Sequence, residues 1–183
     1  MNYAISPIHS FRDFGNSITL DQKIEIFCER IRGWQIGPAL EMTKLNMFGR
    51  GFAQLNLVMS YFEMIAKYSH GFVGRGKSAY HFKIGLCLTF PQIQPEETRL
   101  MDSFYKTIRS GLFHDGMANV PVILYDDIPG SFGYSEENDQ LVFAPDRFVE
   151  DVSIKFDEFI SQLRDPAQFE LRANFEKRFD SRG

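Results

Sequence analysis

Cysteine, tryptophan and histidine are scarce in this chain, with two, one and four copies among 183 residues. Two cysteines cannot build a disulfide framework. Cys28 and Cys87 lie on separate apolar stretches, without the paired spacing of a metal site. Buried, reduced thiols are the expectation. No histidine on a predicted helix has a second histidine or an acid four positions away, so helical metal-ligand spacing is missing. No metal or cofactor is expected. An excess of positive charge is also lacking: 20 Lys and Arg stand against 24 Asp and Glu, a net charge of −4. That argues against a broad surface that coats nucleic acid, while leaving room for a small basic cleft. No apolar run is long enough to span a bilayer. The segment Met1–Gly15, interrupted by Pro7, His9 and Arg12, has no continuous apolar core of the kind a secretory signal carries. A cytoplasmic protein without a membrane partner is expected.

What the chain does have is phenylalanine, 19 copies, which predicts an aromatic core. The length suits one domain over 1–183. Residues 1–18 read as irregular. Thr19 and Gln22 have capping-box spacing and open a helix with Ile24, Phe27, Cys28 and Ile31 on its apolar face. Gly33 is expected to end or bend it, and Gly37-Pro38 to break the short segment that follows. Gly49–His70 is the strongest helix, apolar around most of its circumference and therefore central. One polar stripe remains on it, Asn56, Ser60, Glu63 and Lys67, suited to a solvated face or to the wall of a cleft. Gly71 is placed to cap this helix in the left-handed conformation. Another apolar helix runs from Ser78 to Phe90. Pro95-Glu96-Glu97 starts the next, with Leu100, Met101, Phe104, Ile108 and Leu112 on its core side. Val122–Tyr125 and Leu141–Phe143 are β-prone, predicting a small hairpin insertion over 121–143. Amphipathic helices then begin at Pro145 and at Asp165-Pro166. The fold class is mainly α, with one hairpin.

Gly71-Phe72-Val73-Gly74-Arg75-Gly76-Lys77-Ser78 matches the phosphate-loop pattern G-x-x-x-x-G-K-[ST] at every fixed position. A nucleotide hydrolase of that type needs a buried strand before the loop and an alternating β/α chain. The segment before Gly71 reads instead as a long helix, so the expectation is a helix cap followed by a basic loop. Arg75 and Lys77 remain weak candidates for binding an anion.

The stretch Tyr105-Lys106-Thr107-Ile108-Arg109-Ser110-Gly111-Leu112-Phe113-His114-Asp115-Gly116 carries the chemistry. Arg is a permanent, planar clamp for phosphate, and His can move a proton near neutral pH. Together they can handle a phosphodiester without metal. On an ideal α-helix the five-residue step separates Arg109 and His114 by about 140°. Convergence then needs fraying near Gly111 or a second copy of the chain. Asp102 and Tyr105 lie on the face of Arg109 and could support it, while Ser110 and Asp115 are secondary orienting candidates. A bland reading exists for each: His114 as a helix C-cap, Arg109 as a structural ion pair.

An arginine and a histidine separated by four residues, at the end of an amphipathic helix, resemble the motif of the HEPN superfamily. The resemblance centres on residues 95–116. It implies a HEPN-like helical bundle, with a homodimer formed through the motif helix. It also implies metal-independent cleavage of RNA, in which Arg109 holds the phosphate and His114 is the general acid or base. Many nuclease members carry Asn, Asp or His directly after the arginine, where this chain has Ser110. Other members of that family bind or regulate without catalysis, which is the alternative expectation.

Overall fold

The computed structural model describes residues 4–14, 17–115 and 122–181; for 11–12 and 112–115 it describes the backbone alone. The first helix, α1 (Leu20–Ile31), begins as its local code requires. Gln22 N–H donates to Thr19 Oγ1 at 3.3 Å, and Thr19 N–H donates to Gln22 Oε1 at 2.8 Å. These bonds satisfy two backbone donors that a helix start leaves orphaned. Gly33 does not stop the chain's coiling. The backbone widens into a π segment, Arg32–Ile36, and runs on into α2 (Gly37–Met42), so the predicted break at Gly37-Pro38 is instead a helix start. Proline is tolerated there because the first helical N–H groups have no partner to lose. Before α1, the segment expected to be irregular is held down in part. Ser6 donates to Glu29, His9 Nδ1 lies 2.8 Å from the same carboxylate, and Arg30 donates to the Ile5 carbonyl.

The central helix is α3 (Arg50–His70), closed by Gly71 in the left-handed conformation (φ 62°) as predicted. Leu55, Val58, Met59, Phe62, Ile65 and Ala66 are all buried. Against it packs α4 (Ser78–Thr89), at unusually close range. A Cβ on Gly85 would lie 2.5 Å from the Phe62 carbonyl carbon, so only glycine permits this approach. The motif helix starts as α5 (Thr98–Ser103), three residues after Pro95. It continues as a second π segment, Phe104–Asp115. The chain closes with α6 (Pro145–Arg164) and α7 (Phe169–Asp180).

The core is aromatic, as the phenylalanine count suggests. Phe62 lies 5.3 Å from Phe82 and 6.1 Å from Phe148, and Phe104 meets Phe132 and Phe143 at 5.2 Å each. Such tilted and edge-on pairs suit the ring quadrupoles. Both cysteines are free and half-buried. Among the described residues, no helix is long and apolar enough to cross a membrane.

The β region departs from expectation. Three strands form, β1 (Val122–Leu124), β2 (Phe132–Ser135) and β3 (Gln140–Phe143), in the order β1-β3-β2. The two runs expected to form the hairpin, β1 and β3, pair in parallel, Ile123 opposite Val142. The hairpin is β2 with β3, Tyr134 opposite Leu141. Its turn is tight because Asp139 takes a positive φ of 46°. The Asp139 carboxylate also accepts from Ser103 Oγ at 2.6 Å and from the Tyr134 hydroxyl at 2.8 Å, tying the hairpin tip to α5.

Candidate functional site

The widened backbone of the motif segment changes the geometry expected for it. A π-helix bonds i to i+5, where an α-helix bonds i to i+4. Positions 109 and 114, about 140° apart on an α-helix, are therefore about one turn apart and nearly in line along 104–115. Neither fraying nor a second copy is needed to align the two backbone positions. The side chains of His114 and Asp115 lie outside the described residues. Thr107, Ile108 and Gly111 keep the inner side of this segment buried against α3 and α4.

Arg109 turns back onto the core helix. Its guanidinium lies 3.9 Å from Glu63 Oε2 on α3, with the two side chains only 20% and 15% exposed. That distance makes an ion pair rather than a direct hydrogen bond. The other Glu63 oxygen accepts from Lys67, one helical turn on. Ser78, the first residue of α4, also favours the charged form of Glu63. Burial would raise the Glu63 carboxyl, but Lys67, Ser78 and the charge of Arg109 outweigh it and hold the group below its ordinary value. Glu63 is thus an ionised hub joining α3, α4 and the motif segment.

His81 stands at the edge of the same cluster. It is 7% exposed, and its Nδ1 has no hydrogen-bond partner among the described residues. Its ring leans on Phe72 at 4.8 Å. Burial lowers its pKa, and the charges of Lys67, Lys77 and Arg178 lower it further against the opposing pull of Glu63. Burial first, and the surplus of cations after it, thus disfavour the charged form of His81.

The remaining predicted residues are distributed as follows. Asp102 pairs with Lys83 on α4 at 2.5 Å, so the carboxylate that meets Arg109 comes from α3. Tyr105 is half-buried, its ring 5.4 Å from Phe82 in an edge-on contact, which makes it a packing residue. Ser110 is half-buried beside Arg109. Arg75 and Lys77 are exposed on the loop after α3, with Lys77 in the left-handed region (φ 59°). This loop joins two helices: the element immediately before Gly71 is α3, where a nucleotide-hydrolase loop requires a strand. What the loop delivers is Ser78, to Glu63.

Glu63, Lys67, Ser78 and His81 were not sequence candidates for the site. The polar stripe on α3 held the signal for two of them. Ser60, Glu63 and Lys67 from that stripe line a cleft of ≈ 300 Å³ between α3 and the first π segment, together with Trp34, Gln35 and Tyr68. Asn56, the fourth member, is exposed. Among the described residues, no three His, Cys, Asp or Glu side chains come together as metal ligands. The chain matches no protein-family model, no curated protein and no solved structure.

Proposed function

We propose that this chain is a HEPN-like protein that cleaves RNA without a metal ion, acting in the cytoplasm as a homodimer joined through the motif helix. The observation that carries the reading is the i→i+5 register of residues 104–115, which sets positions 109 and 114 one turn apart. In the proposed reaction the 2′-hydroxyl of the RNA attacks the adjacent phosphorus. Its proton leaves to a general base, and the 5′-oxygen departs with a proton from a general acid. The products are a 2′,3′-cyclic phosphate and a free 5′-hydroxyl. His114 moves the proton, and the Arg109 guanidinium stabilises the charge that builds on the phosphoryl oxygens. Lys67, Lys77 and Arg178 near His81 favour a phosphate at this end of the molecule.

A second reading is favoured by Glu63. A carboxylate 3.9 Å from the guanidinium partly neutralises it, which suits an ordered binding element better than a phosphate clamp. The protein would then be a non-catalytic HEPN-like binding module. RNA cleavage in EDTA separates the two, comparing wild type with folded Arg109→Ala and His114→Ala. Removal of a positioned acid–base group or charge clamp is expected to slow cleavage by about 10²-fold or more. Wild-type protein that leaves a panel of structured and unstructured RNAs intact sinks the nuclease reading and leaves the binding module.

A further inference from the structure

The cleft beside α3 is not used by the chemistry assigned to Arg109 and His114. At ≈ 300 Å³ it lies at the small end of ligand sites, with room for one mononucleotide but not for a folded RNA. Phe27 and Tyr68, both buried, lie at its base. Trp34, the chain's single tryptophan, stands on it 50% exposed, leaving indole surface open for a flat ring to stack on. It is carried by the first π segment, and π-bulges occur often at functional sites. Arg32, at the start of that segment, donates to Ser153 Oγ at 2.6 Å and sits 5.4 Å over the Phe156 ring, which anchors the segment to α6.

The polar lining selects the ligand. Gln35 contributes a buried carbonyl oxygen, Oε1, with no hydrogen-bond partner among the described residues. A shielded acceptor without a donor is costly, so a ligand N–H that draws the Gln35 side chain round to face the cleft restores a bond that the protein lacks. Glu63, ionised, can only accept; its Oε1 already takes Lys67, so Oε2, 3.9 Å from the Arg109 guanidinium, is the oxygen left for a ligand. Two acceptors call for a ligand edge made of donors. Lys67 and Arg30 line the cleft against one carboxylate, Glu63, so its net charge stays positive although Lys67 donates to Glu63 and Arg30 to the Ile5 carbonyl, which suits a phosphate. Among nucleobases, guanine presents a ring N–H next to an amino group, adenine an amino group alone, and the pyrimidines a smaller stacking face. We infer that this cleft is a subsite for one guanine nucleotide of an RNA strand, its base on Trp34 and its donor edge toward Gln35 and Glu63. The subsite rests on the RNA-handling reading above. It adjoins the motif segment through Glu63, which borders the cleft on one side and meets Arg109 on the other.

The test uses the full chain and its own tryptophan, whose fluorescence reports on the cleft alone. GMP, AMP, CMP and UMP are titrated, with ribose 5-phosphate and inorganic phosphate as controls, and calorimetry confirms the constants. GMP should give a saturable change and bind tightest. Trp34→Ala, followed by calorimetry, should weaken GMP about tenfold or more, while Trp34→Phe keeps most of the affinity. Gln35→Leu should cost GMP roughly tenfold and CMP little. Equal responses to all six compounds would mean bare anion attraction, and the proposal fails. It fails too if no nucleotide saturates below about 5 mM. The two readings fall separately. GMP binding by a wild type that cleaves no RNA supports the subsite and sinks the nuclease. Wild-type cleavage of RNA without any nucleotide response overturns the subsite and leaves the nuclease standing.

Discussion

Substituting Gly85 by alanine sets two physical effects of opposite sign against each other. On helix propensity alone, Gly→Ala inside α4 should stabilise the protein by about 1 kcal/mol. The structure says otherwise. The added Cβ would lie 2.5 Å from the Phe62 carbonyl carbon and 2.9 Å from its Cα, where ordinary contact begins at 3.4 Å. Clearing the carbonyl carbon alone needs 3.4 − 2.5, or 0.9 Å, and the Phe62 carbonyl oxygen, which the Cβ would overlap outright, demands more, so the figures that follow are lower bounds. A gap of about 0.5–1 Å forfeits roughly a quarter to a half of each dispersion contact across it. Phe82 and Leu86, both fully buried on this face, would lose most, at a gross cost of about 3–4 kcal/mol. After the propensity gain, a net loss of about 2–3 kcal/mol remains, in the range of other overpacked cores. For a chain of this length that lowers Tm by roughly 4–12 °C. The same parting would draw Ser78 and His81 on α4 away from Glu63 on α3, so any activity of the site should fall with it. Urea unfolding followed by circular dichroism checks the stability. A variant more stable than wild type would refute the close approach of α3 and α4.

Two further outcomes follow from local features. Thr19→Ala removes the reciprocal cap with Gln22 and should cost about 1 kcal/mol, read as a lower urea midpoint with an unchanged slope; an unmoved midpoint would mean that the cap contributes nothing. His81 titrates below its ordinary 6.5 in the folded protein, through burial and then the nearby cations, so the unfolded chain binds its proton first as the pH drops. Its stabilising contribution is therefore complete above pH 6.5 and declines as the pH falls below that value. His81→Phe should flatten the loss of stability between about pH 7 and about pH 5.5. His9 has the opposite sign, raised chiefly by its hydrogen bond to Glu29, and is common to both proteins, so it cancels in the comparison. An identical pH dependence in wild type and variant would remove His81 from the account.

The features legible in the chain are those decided within a few residues. Thr19 and Gln22 cap each other across one turn, and Gly71 ends α3 because it can adopt a positive φ at little cost. The all-round apolar pattern of 50–70 announces a central helix, and its one polar stripe marks a wall of the cleft. Local propensity also argued correctly that a helix precedes Gly71. Other features depend on partners far away in sequence. Glu63 and Arg109 are 46 positions apart (109 − 63), and only the packing of the motif segment on α3 makes the carboxylate the arginine's partner. Asp102, one face and two turns from Arg109, looked the nearer acid but is drawn to Lys83 across the groove to α4. Gly33 and Gly37 read as breaks because glycine and proline disfavour isolated helices. Packing holds that stretch in π and α turns, with Arg32 fastened to α6. The parallel pairing of β1 with β3 likewise depends on how the intervening segment returns, which alternating hydrophobicity does not encode. The sequence alone thus determined the helical class, the principal caps and the chemical identity of Arg109. Tertiary packing decided the width of the motif helix and the acid beside that arginine, because both are set by long-range contacts between elements.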